Sequence, residues 1–450
     1  MECIVFTLLF SMAREITERK RATVHTLGCR LNQSESNLIR DQLIERGYDI
    51  VPFEAKSDLA VINTCTVTRQ ADSKCRSAIR QFTRRNPEAI TAVVGCYSQM
   101  GYKQISEIGG VDVIIGNQDK LNVLDYLGEE KNEVPVIVRD QIDRDDFSIS
   151  FAGDLPFNHR ANLKIQDGCN FMCTFCIIPF ARGRARSRDF GNLLAEASNL
   201  VSRGVRELVL TGVNLGTYSH SGHEIIDIVD ALDDLDELLR IRISSIEPTT
   251  IPEALFERMA DPVHALLPYL HIPLQAGSNE ILQAMRRKYS LKEFLDFVDK
   301  AHASVPNLCV GTDIMVGFPG ETDELFEQSC ASFMEGPFAY CHVFTYSERE
   351  GTVAARRKDH ITVSERKRRS AHLRRLSAMK RHEFHEAYLG REFSVLFEDP
   401  REGTWPGYTP NYIRVVVPDA GEDLANRRGR VRLESVTPEF VEGTLLEMID

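Results

Sequence analysis

Strand-like and helix-like segments alternate over two long stretches of this chain. In the first, residues 23 to 128, each apolar run is followed by a polar or amphipathic segment such as QSESNLIRDQLIERG. The apolar runs are TVHTLG, LAVINT, ITAVVG and VDVIIG. Short apolar runs predict buried strands, and the segments between them have helical periodicity. The alternation therefore predicts an α/β fold with a mainly parallel sheet covered by helices.

The second alternation begins at Arg160. Its six strand candidates are ANLKIQD, ELVLTG, LRIRISS, YLHIPLQ, CVGTDIMVGF and YCHVFTY. Six βα units favour a partial (β/α)6 barrel over a second open sheet, and the pattern alone does not decide between them. Before it, residues 129 to 159 are acidic, contain Pro135 and Pro156, and include only the strand-like run VPVIVRD, which is typical of a linker.

The last part of the chain has a different pattern. A helix-favouring basic segment near 364 to 388 precedes short strand-like runs punctuated by Gly and Pro, which predict a small antiparallel β-barrel. The expected organisation is an extension (1–21), an N-terminal parallel α/β domain (22–128), a linker (129–159), a partial-barrel core (160–388) and a small barrel (389–450).

The amino-terminal run MECIVFTLLF does not match a secretory signal. Glu2 stands where such a signal carries positive charge, no small-residue cleavage site follows, and a span would need about 20 apolar residues. We therefore expect a cytoplasmic protein with reduced thiols and no membrane partner. The net charge of −12 argues against uniform coating of nucleic acid, but nine Lys/Arg against three Glu between Ser364 and Arg391 predict a local basic face.

Three cysteines that are far apart in sequence follow predicted strands. Cys29, Cys65 and Cys96 end the stretches TLGC, NTC and VVGC, and Asn117 follows a fourth strand. Because the carboxyl ends of parallel strands lie along one edge, where ligands bind, these cysteines are expected to converge. The sequence thus predicts a site with three thiolates.

A second set of three cysteines lies in the stretch GCNFMCTFC. Cys169, Cys173 and Cys176 follow the first strand of the predicted barrel, at the face where barrel active sites are built. Structural zinc uses four protein ligands, and neither triad has a fourth Cys or a His close by. A four-iron cubane fits three thiolates better, because one iron is left open for chemistry, whereas electron-carrying clusters usually have four protein ligands.

The CxxxCxxC spacing, with Phe175 before the last cysteine, resembles the signature of the radical S-adenosylmethionine (SAM) superfamily. The resemblance implies a [4Fe-4S] cluster on Cys169, Cys173 and Cys176 whose open iron binds SAM and cleaves it to a 5'-deoxyadenosyl radical, with Phe175 beside the adenine. From about Thr23 to Glu447 the chain is similar to the methylthiotransferases. This implies an auxiliary [4Fe-4S] cluster on the first triad that carries the sulfur, a terminal TRAM barrel, and external electron and sulfur donors.

Further stretches similar to that family fall at or just after the core strands. They are TGVNLGTY, RISSIEP, HIPLQAGSNEIL, TDIMVGFPGET and HVFTYSEREGT. We expect Gly212, Glu247, Gln275 and Gly317 to line the SAM pocket, although each also fits an ordinary turn or strand end. Buried packing is the expected role of the other five cysteines, of which Cys75 is the one able to approach the first triad. The remaining four are Cys3, Cys309, Cys330 and Cys341.

Within the family, the motifs look most like the branch that acts on N6-threonylcarbamoyladenosine at position 37 of tRNA. The other branches act on an isopentenyl-bearing RNA base or on a ribosomal-protein aspartate. The segment ARGRARSR and the basic face supply phosphate-binding charge for RNA, with a solvated charged face as the alternative. Tyr408, Asn411 and Tyr412 are candidates for nucleotide contact or for barrel packing. A non-enzymatic iron-sulfur protein that binds RNA or senses redox state is the remaining hypothesis.

Overall fold

A six-stranded parallel sheet forms the first part of the computed structural model, which describes residues 19–151, 159–418 and 421–450. The strands are β1 (Arg21–Thr26), β2 (Asp49–Ile50), β3 (Leu59–Thr64), β4 (Ile90–Gly95), β5 (Val113–Ile115) and β6 (Val136–Val138). The helices are α1 (Arg30–Glu45), α2 (Arg69–Arg85) and α3 (Cys96–Ser106), followed by the 3-10 helix Lys120–Tyr126. The strand order is β2-β1-β3-β4-β5-β6, so β1, β3 and β4 are neighbours.

Both faces of this sheet are covered. Ile62 and Val93 pack into one apolar cluster with the α2 residues Ile79 and Phe82, while residues such as Val61 pack into a second cluster on the opposite face. Burial on two sides explains why these strands are nearly continuous apolar runs rather than alternating patterns.

Two predicted segments, the extension and the linker, border this part of the structure. Residues 1–18 of the predicted extension, with Cys3, lie outside the described residues, and Arg21 already belongs to β1. The run VPVIVRD in the predicted linker contributes β6 to the sheet, while Pro156 also lies outside the described residues. The domain boundaries themselves stay predictions.

The central part is an open arc of six parallel strands. They are β7 (Arg160–Lys164), β10 (Glu207–Thr211), β13 (Arg240–Ile243), β14 (Tyr269–His271), β15 (Cys309–Val316) and β16 (Tyr340–Thr345). They form two parallel three-stranded sheets, β13-β10-β7 and β14-β15-β16, which isolated parallel bridges such as Ser245 to His271 connect. The predicted partial barrel is confirmed.

Helices cover the outside of the arc. They are α4 (Ile178–Ala181), α5 (Phe190–Ser202), α6 (Ile225–Asp233), α7 (Ala254–Ala260), α8 (Asn279–Ala284), α9 (Leu291–Ser304) and α10 (Asp323–Glu335), followed by α11 (Val363–Glu386). The short strands are β8 (Gln166–Asp167), β9 (Arg186–Ser187), β11 (Ser219–His220) and β12 (His223–Glu224), and the 3-10 helices are Leu215–Thr217, Pro248–Thr250 and Ala354–Arg356. Asp189, Ser290 and Thr362 each cap a helix by accepting a backbone N–H of its first turn.

The two faces of the core strands differ in chemistry. Residues such as Leu208, Ile241 and Val310 point outward into the main apolar core. Because side chains alternate along a strand, the intervening residues, including Arg242 and Asp313, point to the inner face. The interior of the arc is therefore polar and aromatic.

The carboxyl-terminal part is a closed five-stranded barrel, as predicted. Its strands are β17 (Glu392–Phe397), β18 (Thr404–Tyr408), β19 (Arg414–Pro418), β20 (Arg428–Val436) and β21 (Val441–Met448), in the order β17-β18-β19-β21-β20. All pairs are antiparallel except β19 with β21. The sequence did not reveal β18, because its residues Pro406 and Gly407 are typical of turns.

This barrel is docked against the core through Arg240. The buried guanidinium donates to the carbonyl oxygens of Tyr408 and Ser394, at 2.7 Å each. The loop after β18 thus enters the inner side of the arc. Among the described residues, no helix has the length and apolar character needed to cross a membrane.

Candidate functional site

The structure brings Cys29, Cys65 and Cys96 to the carboxyl ends of three adjacent strands. Cys29 precedes α1, Cys65 follows β3 and Cys96 begins α3. A Cβ placed on Gly28 would lie 2.9 Å from the Cβ of Cys65, so the two cysteine-bearing loops touch. Burial, together with the neighbouring Cys96 and Cys29, raises the pKa of Cys65 to about 12. Thiolates at this site therefore require a compensating positive charge such as iron.

Cys75 does approach this triad. Its Sγ lies 3.5 Å from the backbone nitrogen of Cys65 and 3.4 Å from its carbonyl oxygen, and the side chain is fully buried. The thiol is engaged with backbone rather than aimed at solvent. Asn117, at the fourth strand end, donates to the carbonyl oxygen of Ala181 in the core at 2.5 Å.

The loop with Cys169, Cys173 and Cys176 lies between β8 and α4. Thr174 anchors it by donating its backbone N–H to Met285 and its hydroxyl to Ala284. Gly168 has a φ of +72°, and a Cβ there would lie 1.9 Å from the carbonyl oxygen of Arg184. Only glycine fits at that position. Burial raises the pKa of Cys176 to about 12, so a thiolate here also needs a compensating positive charge.

A buried arginine contacts the second triad. The Nη1 atom of Arg287 lies 3.3 Å from the Sγ of Cys173, and the same guanidinium forms an ion pair with Glu247 and a hydrogen bond with Tyr289. Burial raises the pKa of Glu247 even with Arg287 beside it. Arg287 lies in the segment AMRRKYS, where no local pattern marks it as a site residue.

Two of the predicted SAM-pocket residues lie close together in the structure, and the other three have separate surroundings. Gly212 and Glu247 lie near one another, because the Asn214 side chain accepts the backbone N–H of Glu247 and the N–H groups after Gly212 donate to Gln166. Gln275 holds a strained φ of 72° and donates its backbone N–H to the carbonyl of Asp313. Phe175 makes an edge contact with Phe318 at 6.4 Å between ring centroids.

Gly317, the fifth SAM-pocket candidate, packs against Arg366 of α11. It has a φ of +74°, and a Cβ there would lie 2.3 Å from the Cγ of Arg366 on α11. Its packing partner is thus a helix side chain. The SAM-binding role of these five residues stays a prediction.

A buried charged cluster links the two triads. Glu35 of α1 lies 2.5 Å from Lys120, 2.9 Å from Lys164 and 2.9 Å from Arg182. Asp167 also pairs with Lys164 and Arg182, at 2.7 and 3.1 Å. All five side chains are buried, and three cations face two carboxylates. We call these residues the interdomain cluster.

Asn32 connects the interdomain cluster to the first triad. Its Oδ1 accepts from Arg182 at 2.6 Å and lies 3.6 Å from the Sγ of Cys29. Burial alone would raise the pKa of Glu35, but the charges of Arg182, Lys120 and Lys164 hold it well below its usual range. Burial lowers the pKa of Lys120 to about 8. The cluster is therefore a charged contact between α1 and the core. Its residue Arg182 lies six positions after Cys176 in the sequence.

The inner face of the arc carries aromatic rings and cations. Tyr412 stacks on Tyr408 at 5.0 Å and lies 4.7 Å from Tyr269, whose hydroxyl is 2.7 Å from that of Tyr340. His271 and His342 flank Asp313, with distances of 2.9 and 3.5 Å to its Oδ1. These groups form a continuous wall from the terminal barrel to β16.

Family models match both of the first two parts. Residues 163–332 match the radical SAM superfamily, and residues 21–116 match the uncharacterized protein family UPF0004. A threonylcarbamoyladenosine tRNA methylthiotransferase, MtaB, from Bacillus subtilis is 36% identical over 95% of this chain and 96% of its own length. The chain belongs to the radical SAM methylthiotransferase family.

Two further relatives and one solved structure are also similar to this methylthiotransferase. An Aquifex aeolicus protein of the same name is 35% identical over 84% of this chain and 92% of its own length. A tRNA-2-methylthio-N(6)-dimethylallyladenosine synthase from Maricaulis maris is 30% identical over 95% and 98%. The structure of the radical SAM methyltransferase TsrM from Kitasatospora setae has a TM-score of 0.54 at 15% identity, over 75% of this chain and 74% of that one. This last likeness concerns the fold alone.

The methylthiotransferase does not present the segment ARGRARSR to RNA as predicted. Arg182, Arg186 and Arg188 are buried, Arg182 in the interdomain cluster and Arg188 in an ion pair with Glu196. Only Arg184 of the four arginines is exposed. The prediction of phosphate-binding charge is wrong for the three buried residues, because their side chains lie inside the protein and not at its surface.

The terminal barrel also differs from expectation in its details. Asn411 is fully buried and accepts from the Thr409 hydroxyl at 2.7 Å, so of the two predicted roles the structure favours barrel packing over nucleotide contact for this residue. Tyr408 and Tyr412 belong to the inner wall of the methylthiotransferase. On α11 and just beyond it, five basic residues remain exposed without an ion pair in the described part of the chain: Lys367, Arg374, Arg375, Arg381 and Arg391.

Proposed function

We propose that this chain is a tRNA methylthiotransferase that converts N6-threonylcarbamoyladenosine at position 37 to its 2-methylthio derivative. The observation that carries the proposal is the pair of three-cysteine sites joined by the interdomain cluster. An unactivated C–H bond is not acidic and its carbon is a poor electrophile, so acid-base catalysis does not convert it to C–S–CH3. A cofactor must therefore supply the difficult step.

The donor sets fit two [4Fe-4S] clusters. Each site offers three thiols, one fewer than closed zinc sites require, and a cubane on three thiolates retains one open iron. Cys29, Cys65 and Cys96 would hold the auxiliary cluster, and Cys169, Cys173 and Cys176 the cluster that binds SAM. When bound, these groups supply reductive cleavage of SAM and a sulfur atom for insertion.

The protein's own residues would prepare both sites. Arg287 donates to Cys173 and forms an ion pair with Glu247, so it positions this carboxylate beside the second triad, and we assign Glu247 to the SAM pocket. Phe175, Gly212, Gln275 and Gly317 are the further residues that we assign to the SAM pocket. Two molecules of SAM would be used, one for the methyl group and one for the radical.

The interdomain cluster would keep the sulfur-carrying site close to the radical site. A carbon radical must meet its sulfur partner within a short distance, and preorganised placement supplies much of such a rate. Because Glu35, Lys120 and Arg182 are almost fully buried, this contact also excludes water from the region between the triads.

RNA binding is assigned to the exposed basic face of α11 and to Arg184. Clustered cations of this kind bind phosphates and make affinity depend on salt. An electron donor and a sulfur donor are further partners that the chemistry requires. For an enzyme that acts on tRNA, we propose a cytoplasmic location.

Turnover by the purified protein tests this proposal. The protein is reconstituted anaerobically with iron and sulfide and is given a reductant, SAM and tRNA that carries threonylcarbamoyladenosine. We expect about eight irons per chain, release of 5'-deoxyadenosine and formation of the 2-methylthio nucleoside. Clusters without SAM cleavage would instead favour an RNA-binding or redox-sensing protein, and product formed only from isopentenyladenosine would move the enzyme to the sister branch.

A further inference from the structure

Arg30 is the first residue of α1 and directly follows Cys29. Its side chain reaches the inner wall of the arc, where Nη2 donates to the hydroxyl of Tyr412 at 2.8 Å. The guanidinium carbon lies 6.0 Å from the centre of that ring. One residue thus joins the first triad to the aromatic wall.

The guanidinium of Arg30 has no carboxylate partner among the residues that the structure describes. Other arginines of the region are paired: Arg182 with Glu35, Arg242 with Glu207 and Arg287 with Glu247. Arg30 is half-buried, and its hydrogen bond to Tyr412 brings no negative charge. Since a cation withdrawn from water is costly without an anion, this position favours an anionic ligand.

Arg242 provides a second, independent sign of an anion site. The side chain is fully buried, and its Nη2 has no hydrogen-bond partner in the described part of the chain. Its guanidinium carbon lies 4.5 Å from the ring centre of Tyr412, so Arg30 and Arg242 contact the same ring. Tyr412 itself holds a φ of 68°, an unusual conformation for a bulky residue that the surrounding contacts must maintain.

The local charge is positive. Among the described residues, Glu207 supplies the one carboxylate within ion-pair distance of these arginines, 2.8 Å from Arg242 and 4.0 Å from Arg240, while Arg30 has none. The next carboxylate along the wall, Asp313, is held between two histidines. An incoming carboxylate therefore meets uncompensated positive charge beside Tyr412.

The proposed substrate carries the matching group. The threonylcarbamoyl substituent on N6 ends in a free carboxylate, whereas an isopentenyl substituent is uncharged. The reacting carbon, C2, and the carbon that bears N6 belong to the same six-membered ring, so a base whose C2 lies near Cys29 keeps this carboxylate in the same region. Tyr340 and Tyr412 are the partly exposed rings of this wall that a bound base can contact, whereas Tyr269 is buried behind them.

We propose that Arg30, supported by Arg242, binds the carboxylate of the threonylcarbamoyl group and thereby selects this substrate over uncharged N6 substituents. The assignment rests on the proposed function. Arg30 is then a specificity residue, placed by its position next to Cys29 so that recognition and sulfur insertion occur together. A bidentate contact between guanidinium and carboxylate is the geometry that this pairing favours.

The test compares two anticodon stem-loops that differ only at the threonyl carboxylate, which is free in one and a primary amide in the other. Dissociation constants are measured with the reconstituted wild type, Arg30→Gln, Arg30→Lys and the distant control Arg46→Gln. We expect the wild type and the control to prefer the free acid by about 10- to 100-fold. In Arg30→Gln the preference falls to within about threefold, and Arg30→Lys retains part of it.

Comparing the two ligands within each variant separates loss of selectivity from general damage at Cys29, because such damage weakens the binding of both ligands equally. Iron content is recorded alongside. The inference is overturned if Arg30→Gln keeps the full preference, or if the wild type binds acid and amide equally while still methylthiolating the free acid. Wild-type protein that binds both stem-loops but forms no methylthio product on either contradicts the proposed function instead.

Discussion

Replacing Glu35 by Gln is expected to loosen α1 from the core. The carboxylate is fully buried and lies within 2.9 Å of Lys120, Lys164 and Arg182. Its removal leaves three buried cations opposite only Asp167. Removing one partner of a buried ion pair costs about 3–5 kcal/mol, and we expect the lower end because Gln keeps an acceptor. About 3 kcal/mol corresponds to roughly 100-fold faster amide exchange in the segment that opens.

Hydrogen exchange followed by mass spectrometry measures this effect peptide by peptide. Glu45→Gln is the matched control, because Glu45 lies on the same helix and is exposed. We expect faster exchange over Arg30–Glu45 and over the loop from Gly168 to Cys176 in Glu35→Gln alone. In turnover assays the same variant should release 5'-deoxyadenosine with little methylthio product. Exchange within twofold of the wild type would refute the idea that this cluster holds the two sites together.

We also predict that the difference in amide exchange between the wild type and Glu35→Gln depends on pH. The pKa of Glu35 is lowered in the folded state, so its contribution to stability is present above its unfolded value of about 4.3 and is lost as the pH falls toward the folded value. After correction for intrinsic exchange rates, the difference between wild type and Glu35→Gln should therefore narrow below about pH 4. A difference that grows toward acid would contradict this sign.

Three further predictions concern Gly168, Arg287 and the exposed basic residues of α11. Gly168→Ala places a Cβ 1.9 Å from the carbonyl oxygen of Arg184 and should reduce iron from about eight to about four per chain, whereas Gly47→Ala, with open space around it, should not. Arg287→Met removes the contacts to Cys173 and Glu247 and should slow SAM cleavage at least about tenfold with iron content retained. Exchanging three exposed basic residues of α11 for Ala should weaken tRNA binding. The slope of log affinity against log salt concentration should become shallower by about 0.7 to 0.9 for each phosphate that is no longer neutralised, as titrations at several salt concentrations would measure. These residues are Arg374, Arg375 and Arg381.

The cysteine sites were predictable because their signals are local. Each strand that precedes Cys29, Cys65 or Cys96 is an apolar run buried on both faces, and parallel strands end at one edge. The CxxxCxxC loop is a contiguous motif. The order of β1, β3 and β4 in the sheet then makes the first three cysteines neighbours.

The interdomain cluster was not predictable from these patterns. In α1 several polar residues are buried for two reasons: Ser36 accepts from Asn63 of the sheet, whereas Glu35 pairs with Lys164 of the core. Lys164, the partner of Glu35, lies 129 residues away, so no local periodicity indicates the pair. The same limit applies to Arg182, whose place in an Arg-rich segment suggested RNA contact rather than a buried ion pair.

Nucleoside analysis of tRNA from cells tests the central claim, that two three-cysteine sites act together in sulfur insertion, most directly. Cells that lack this gene are complemented with the wild type, Cys173→Ala, Cys29→Ala or the buried control Cys330→Ala, and their tRNA nucleosides are quantified by mass spectrometry. We predict 2-methylthio-N6-threonylcarbamoyladenosine with the wild type and Cys330→Ala, and only the unmodified threonylcarbamoyladenosine with either triad variant. Product formed with Cys29→Ala or Cys173→Ala at wild-type levels would contradict the account.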